Sequence, residues 1–413
     1  MKIWLVNHYA VPPQYYPLAR PSLFAKNLIR QGHEVTIIAA STVHNSDENL
    51  ITDGARVRNM TVDGVPYVLI RCCDYKGNGL RRAFNILEFA AKLPGVCRTL
   101  EKPDAIVATS FDPICCYRGI RYAKRHGIRA VAEIADLWPE TLLSLAGLSA
   151  RHPLVTALRV LEKKIYTQAD EIVFTMEGAY DYIRERHWEN DVPASKVHFI
   201  NNGIDLKEFD FNRAHYQIDD EDLNDPECFK AVYTGSIRKV NDLGRLVDAA
   251  ARIKDRRVRF LIWGRGDELD ALRERVRAEG LENIRFKGAV EKKYVPYITS
   301  CADLNIMHGI TSSILRFGLS ANKLFDYLAA GKPVLSDFPC PYNPACDYHA
   351  GEELQDESPE GIARAVERFA QMSGEELARY GENARRAAEA YDFASLTQKL
   401  LAVLEEPAAP RGV

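Results

Sequence analysis

Residues 317–335 read FGLSANKLFDYLAAGKPVL: a small-residue turn, Lys323, an acid three residues later at Asp326, and an apolar run introduced by Gly-Lys-Pro. A helix start offers free N–H groups and a positive dipole end, so a lysine beside it suits a phosphorylated ligand. Two solvated charges on an ordinary loop–helix–strand unit would leave the same pattern. Similar punctuation recurs upstream. The run 231–234 ends in Gly235-Ser236-Ile237-Arg238-Lys239, and 258–263 ends in Gly264-Arg265-Gly266-Asp267. The run 284–287 ends in Gly288-Ala289-Val290, and 304–307 leads into His308-Gly309. Glycine after a strand permits a sharp turn and close backbone approach to a ligand. A single case is ordinarily just a turn, but four along one sheet edge point to a binding cleft.

Several chemistries are absent from the sequence. The first apolar run ends in Asn7-His8-Tyr9-Ala10 without a GxGxxG for a dinucleotide, and there is no GxxxxGK[ST], HExxH or GxSxG. The nine cysteines show no zinc spacing and read as reduced thiols of a cytosolic protein. With no nucleophile elbow or metal cage, the reaction expected is one managed by positioning and electrostatics. Sugar transfer from a nucleoside diphosphate fits, because its leaving group needs mainly charge stabilisation. A net charge of −3 makes no case for a nucleic-acid partner.

The elements that position these residues follow from the apolar pattern. A chain of 413 residues exceeds one compact core, so two domains are expected. Strand-like runs fall at 3–6, 34–39, 67–70, 105–108, 130–134, 171–174 and 197–200, with helical periodicity between them, as in 22–30. The run 3–6 is too short for a signal peptide or a membrane span. The alternation predicts parallel α/β architecture. It breaks at 210–229, a polar, acidic stretch read as a linker, then restarts with strands at 231–234, 258–263, 284–287, 304–307 and 333–336. Helices are expected at 359–372, 374–389 and 393–404.

Seven blocks in order carry a family resemblance over nearly the whole chain. They are NHYAVPP with Arg20 and LIRQGHEVTIIAAS, AEIADLWPETLLSLAG, LEKKIYTQADEIVFTMEG, VHFINNGIDLKEF, FLIWGRGDELDALRERV, ENIRFKGAVEKKYVPYITSCADLNI and NKLFDYLAAGKPVL. Together they resemble glycosyltransferase family 4, the retaining GT-B transferases, and its bacterial polysaccharide-assembly members that act as fucosamine, capsule or O-antigen transferases. The resemblance implies two Rossmann-like, doubly wound α/β domains facing a central cleft. Residues 1–203 would form the acceptor side, with the C-terminal helix 391–406 packing back on it, and 204–390 the donor side. It implies a UDP-sugar as co-substrate, no metal and no further cofactor.

Residue roles implied by the resemblance centre on the second half. Asn202 and Gly203 line the donor site at the hinge, and Gly235 begins the turn that meets the diphosphate. The family places an Arg and a Lys just after that turn; here Arg238 and Lys239 stand nearby at a different spacing. Gly264 and the backbone near Val290 would border the base. The diphosphate would lie against Leu319, Ser320, Ala321 and Asn322, with Lys323, joined by Arg238, neutralising charge as the sugar–phosphate bond breaks. Asp326 would hold the ribose, as Asp where Glu is usual, and Gly318 stands where a first acid is usual.

In the first half, Asp136, with Glu140, is assigned to acceptor or sugar hydroxyls. An N-cap role for Asp136 before a helix starting near Pro139 is the alternative. His8 and Arg20 are secondary candidates, with a structural hydrogen-bonding role for His8 and plain solvation for Arg20 as the alternatives. Two basic amphipathic stretches, 80–100 and 152–166, fit either core helices or a membrane surface. The family's polyprenyl-diphosphate-linked acceptors favour the second, on the inner face of a bacterial membrane. A sugar-nucleotide epimerase of the same architecture and a non-catalytic nucleotide-sugar-binding subunit stay open beside transfer to a glycan or lipid-linked acceptor.

Overall fold

The computed structural model of the protein describes residues 1–406 apart from 17, 18, 45 and 78. The chain forms two compact units, Met1–Asn201 with the chain from Leu396 onward, and Asn202–Ser395.

The first unit carries strands β1 (Lys2–Val6), β2 (Glu34–Ala40), β3 (Val57–Val62), β4 (Val65–Ile70), β5 (Ala105–Thr109), β6 (Arg129–Ile134), β7 (Glu171–Phe174) and β8 (Val197–Phe199). Their order is β3-β4-β2-β1-β5-β6-β7-β8, parallel throughout except for the β3–β4 pair. The central strands are apolar on both faces because helices cover both, as a parallel sheet requires. Ile3, Ile37, Ile106 and Val131 are all fully buried. The helix Phe393–Glu405 returns to this unit. Arg129 of β6 donates to the Val403 carbonyl at 2.8 Å, and Gln398 donates to Gln31 at 3.0 Å.

The second unit carries β9 (Phe229–Thr234), β10 (Val258–Trp263), β11 (Ile284–Gly288), β12 (Leu304–Met307), β13 (Val334–Ser336) and β14 (Gly351–Glu353), in the order β11-β10-β9-β12-β13-β14. Every neighbouring pair is parallel, so all six carboxyl ends lie at one edge. The order reverses between β9 and β12, paired through Leu304↔Ala231 and Asn305↔Val232. In open α/β sheets that reversal opens the crevice where ligands bind.

The stretch 210–229 and the strands β3 and β14 depart from the sequence reading. The stretch 210–229 is no linker: it holds the end of the helix Leu206–His215, the helix Glu221–Asn224 and the first residue of β9, all within the second unit. Its acids are spent locally. Asp220 caps the second helix by accepting from Asp222 N and Leu223 N, as Asp205, just before the stretch, caps the first. Lys287 of β11 then pairs with both Asp220 and Asp222. The strand β3 was also missed, because VRNMTV is half polar. It pairs antiparallel with β4 across Asp63-Gly64, whose φ values of 50° and 78° make the tight hairpin turn that an Asp-Gly pair favours.

Candidate active site

The sequence-predicted residues of the second unit gather at its carboxyl edge, around the β9/β12 reversal. The helix Asn322–Ala329 is fixed there by Tyr327, whose hydroxyl accepts from Thr234 N at 2.9 Å and donates to the Thr234 carbonyl at 3.2 Å. The first turn of this helix therefore sits beside the end of β9. Its N-cap, Ala321, offers no side-chain acceptor, so the leading N–H groups are left uncapped.

Lys323, in that first turn, is folded inward. Its Nζ donates to the His308 carbonyl at 3.1 Å and to Tyr233 Oη at 3.3 Å, and lies 4.4 Å from the centroid of the Tyr233 ring. Burial pushes the lysine down to about 8, and the charge of Asp337 opposes the shift. Among the described residues no carboxylate is hydrogen-bonded to this ammonium, which leaves its charge available to an anion. It is the feature most like a phosphate site.

The remaining residues of the expected cradle divide. Leu319 N donates to the Tyr342 carbonyl at 3.2 Å, so that N–H is not available to a diphosphate, a correction to the sequence reading. Asn202 Nδ2 donates to the Ser320 carbonyl at 2.8 Å and to Ser320 Oγ at 3.1 Å, tying the hinge residue to the turn. What is left for an anion is the path from Ser320 through Ala321 and Asn322 to Lys323. Gly203 lies next to Asn202 on the chain. Asp326 is buried, and its carboxylate accepts from Lys292 at 2.6 Å. Because the Lys292 side chain is largely exposed, that partner can swing away to admit a hydroxylated ligand.

The glycines and cations after β9 and β10 have local explanations too. A Cβ on Gly264 would meet the Gly235 carbonyl oxygen at 1.8 Å, so glycine is required there for two turns to pack. Gly264 is thus explained by backbone contact, and needs no ligand to account for it. Gly235 itself lies against Tyr233 Oη, which donates to the Ser236 carbonyl at 3.0 Å. Val290 turns its side chain into the core cluster of Val232, Leu261 and Trp263, leaving only its backbone as a candidate contact. Arg238 and Lys239 are exposed and make no ion pair among the described residues.

Gly318 explains why the usual first acid is missing. Its φ is 125° and ψ 166°, a region that is essentially glycine's alone. An acidic side chain cannot be restored there without strain. We expect Gly318→Glu to cost about 1–3 kcal/mol of stability in denaturant unfolding and to bring no gain in turnover. Unchanged stability with faster turnover would contradict this.

In the first unit, Asp136 follows β6. The next helix begins at Glu140 with Pro139 at its N-cap and no side-chain cap, so the capping alternative for Asp136 does not hold. Its carboxyl has no hydrogen-bond or ion-pair partner among the described residues, and burial pushes it up to about 6. Glu140, by contrast, is committed to structure: Arg159 donates to it at 2.9 Å and Arg186 lies 3.4 Å away. Arg20 is buried, so the solvated alternative does not hold. It donates to Glu133 at 2.9 Å, to the Asn201 carbonyl at 2.5 Å and to the Ile200 carbonyl at 2.9 Å. His8 is buried as well, 2.6 Å from Asn85 Oδ1, and burial pushes its pKa down.

Four participants escaped sequence reading: Tyr233, the His308 side chain, Asp337 and Arg245. Asp337, a lone acid straight after the buried run PVLS, was the available signal for a buried pair.

A doubly wound α/β unit with an uncapped helix start and an inward-folded lysine at its switch point has the features of a site suited to an anionic group. Comparison with known proteins makes this particular. Residues 20–203 match the glycosyl transferase 4-like domain, and residues 228–372 match the glycosyl transferases group 1. Together the two glycosyl transferase models, 4-like and group 1, span most of the chain, which is a glycosyltransferase with the GT-B fold. WcaI of Escherichia coli K12, named as a colanic acid biosynthesis glycosyl transferase, is 25% identical over 321 residues, 74% of this chain and 75% of WcaI. TuaH of Bacillus subtilis, named for teichuronic acid biosynthesis, is 25% identical over 283 residues, 66% of each chain. The crystal structure of HepE from Anabaena in complex with UDP matches with a TM-score of 0.67 at 14% identity, covering 98% of this chain and 100% of HepE.

Proposed function

We propose that the protein moves a hexosyl or N-acetylhexosaminyl group, with retention, from a UDP-sugar to a glycan or polyprenyl-diphosphate-linked acceptor in cell-surface polysaccharide assembly. The observation that carries the reading is Lys323, a desolvated ammonium beside an uncapped helix start at the switch point. HepE has been crystallised with UDP, with UDP and glucose, and with UDP-glucose, and WcaI and TuaH are named for polysaccharide pathways, which supports the donor and the setting.

On this reading the second unit binds the donor. The diphosphate lies along Ser320–Lys323, with Arg238 and Lys239 closing over it, while Asp326 releases Lys292 and accepts the ribose hydroxyls. The bond between the anomeric carbon and the phosphate oxygen breaks, and its electron pair stays on the diphosphate. Lys323 stabilises that charge as it develops, in a water-poor setting where it is worth most. The acceptor oxygen bonds to the anomeric carbon from the face the phosphate leaves, and its proton passes to the departing phosphate oxygen. Asp136 is assigned to acceptor or sugar hydroxyls. The charge stabilisation is assigned to these side chains and requires no metal. Calorimetric titration with UDP tests the donor assignment. Binding weakened in the Lys323 and Asp326 alanine variants supports it, and no binding by the wild type refutes it.

The lipid-linked acceptor draws support from the helix Leu80–Cys97. Leu80, Phe84 and Leu87 are 90%, 68% and 52% exposed, one apolar stripe at helical spacing with Arg81 beside it. Phe89 and Leu93, further along the same helix, are buried in the core. On the helix Pro153–Gln168, Leu154 and Val160 are exposed while Val155 and Ile165 are buried. Among the described residues no helix is long and apolar enough to cross a membrane. Such a stripe suits the headgroup plane of an anionic bilayer. Replacing Leu80, Phe84 and Leu87 together by Ser should abolish co-sedimentation with anionic vesicles; unchanged co-sedimentation would refute the surface.

A further inference from the structure

The Lys323 ammonium is held by a carbonyl, and that carbonyl is itself held in place. His308 supplies the carbonyl, 3.1 Å from Nζ, from the loop after β12. The His308 imidazole has Nδ1 on Asp337 Oδ2 and Nε2 2.9 Å from the Asp242 carbonyl, so both ring nitrogens face acceptors. Arg245 clamps the next peptide by donating to the Gly309 carbonyl, and lies 3.6 Å from Asp337 Oδ1 and 3.3 Å from Glu357. His308 and Asp337 are 1% and 0% exposed. Asp337 Oδ1 accepts no hydrogen bond.

The buried ion pair of Asp337 with Arg245 is a poor source of stability, since apolar side chains of similar size usually do as well. Its placement behind the one inward-folded lysine at the switch point calls for another account. We propose that Asp337 is a positioning residue for the transfer reaction: through His308 it fixes the carbonyl that aims the Lys323 ammonium at the donor diphosphate. This rests on the reading of Lys323 given above. The charge of Asp337 also acts on the lysine directly, opposing the burial that pushes it down to about 8. The groups facing the ammonium are Tyr233 from β9 and His308 from the loop after β12, with Asp337 after β13 and Arg245 behind it. Asp326, three residues along the same helix, is engaged by Lys292.

The proposal separates from a merely structural role by proton linkage. Diphosphate binding favours the ammonium form. UDP affinity should therefore fall about tenfold per pH unit once the pH exceeds the lysine's midpoint. Asp337→Asn keeps the size and a hydrogen-bonding group while removing the charge. The experiment is pH-dependent acetylation of Lys323 by acetic anhydride, read by mass spectrometry on the full chain, alongside UDP calorimetry and kcat and KM. In D337N the labelling midpoint and the onset of UDP weakening should both move down by about one pH unit. kcat should fall about ten- to a hundredfold, with Asp337→Glu recovering part of it. A labelling midpoint and UDP profile that match the wild type would overturn the proposal, whatever happens to stability. If the wild type takes up no UDP but D337N still moves the labelling midpoint, the donor reading fails while the Asp337–Lys323 coupling stands. Should D337N not fold, His308→Ala leaves the charge and cuts the tether. It should lower kcat about tenfold with little change in the midpoint, and unchanged kcat overturns the proposal.

Discussion

Lys323→Ala is expected to lower turnover by about a hundred- to a thousandfold, the effect of removing one preorganised group that meets developing charge. The fold should survive the change. Burial pushes the lysine from its ordinary value down to about 8, so the folded state disfavours the ammonium. That penalty is fully present below pH 8 and fades as pH rises towards the unfolded value. At neutral pH the native state therefore carries a cost at this position. Removing the side chain relieves the cost but leaves Tyr233 and His308 without their cation, so the denaturation midpoint should stay close to that of the wild type. Wild-type turnover in this variant would remove the phosphate role outright. A large loss of stability would make Lys323 a structural cation.

Asp136→Asn should lower turnover by about a hundredfold and flatten the acid side of the pH profile. The carboxyl is pushed up to about 6 by burial, and no hydrogen bond or cation among the described residues pulls it back. It accepts a hydrogen bond from a hydroxyl best when ionised, so wild-type activity should decline as pH falls through about 6. Asn cannot titrate, and its variant should lack that decline. An acid limb that persists in D136N assigns the titration to another group.

The alternating pattern of the sequence carried the architecture because parallel strands buried on both faces are dense apolar runs, as β10 and β12 show. Where a strand is half polar, as VRNMTV in β3, the apolar signal fades and only the Asp63-Gly64 turn marks it. The acidic stretch at 210–229 looked like a linker because nothing local reveals that Lys287, far along the chain, pairs with Asp220 and Asp222. The site was legible in the same uneven way. Lys323 and Asp136 stood out by type and place, and the structure gives both unusual surroundings. Arg20 could not be told from a surface charge, since its acceptors lie 113 and more residues away. The Asp337–His308 pair joins the ends of two strands that only the sheet order brings together. Gly318 looked like a lost acid, and its backbone dihedrals show a turn of a different shape.

The most direct test of the central claim is to incubate the protein with labelled UDP-sugars and a polyprenyl-diphosphate-linked acceptor and to follow label, free UDP and anomeric configuration together. Label on the lipid, one UDP released per sugar moved, and an anomeric configuration matching the donor are the expected result. Label left on the nucleotide, isomerised or untouched, would contradict it.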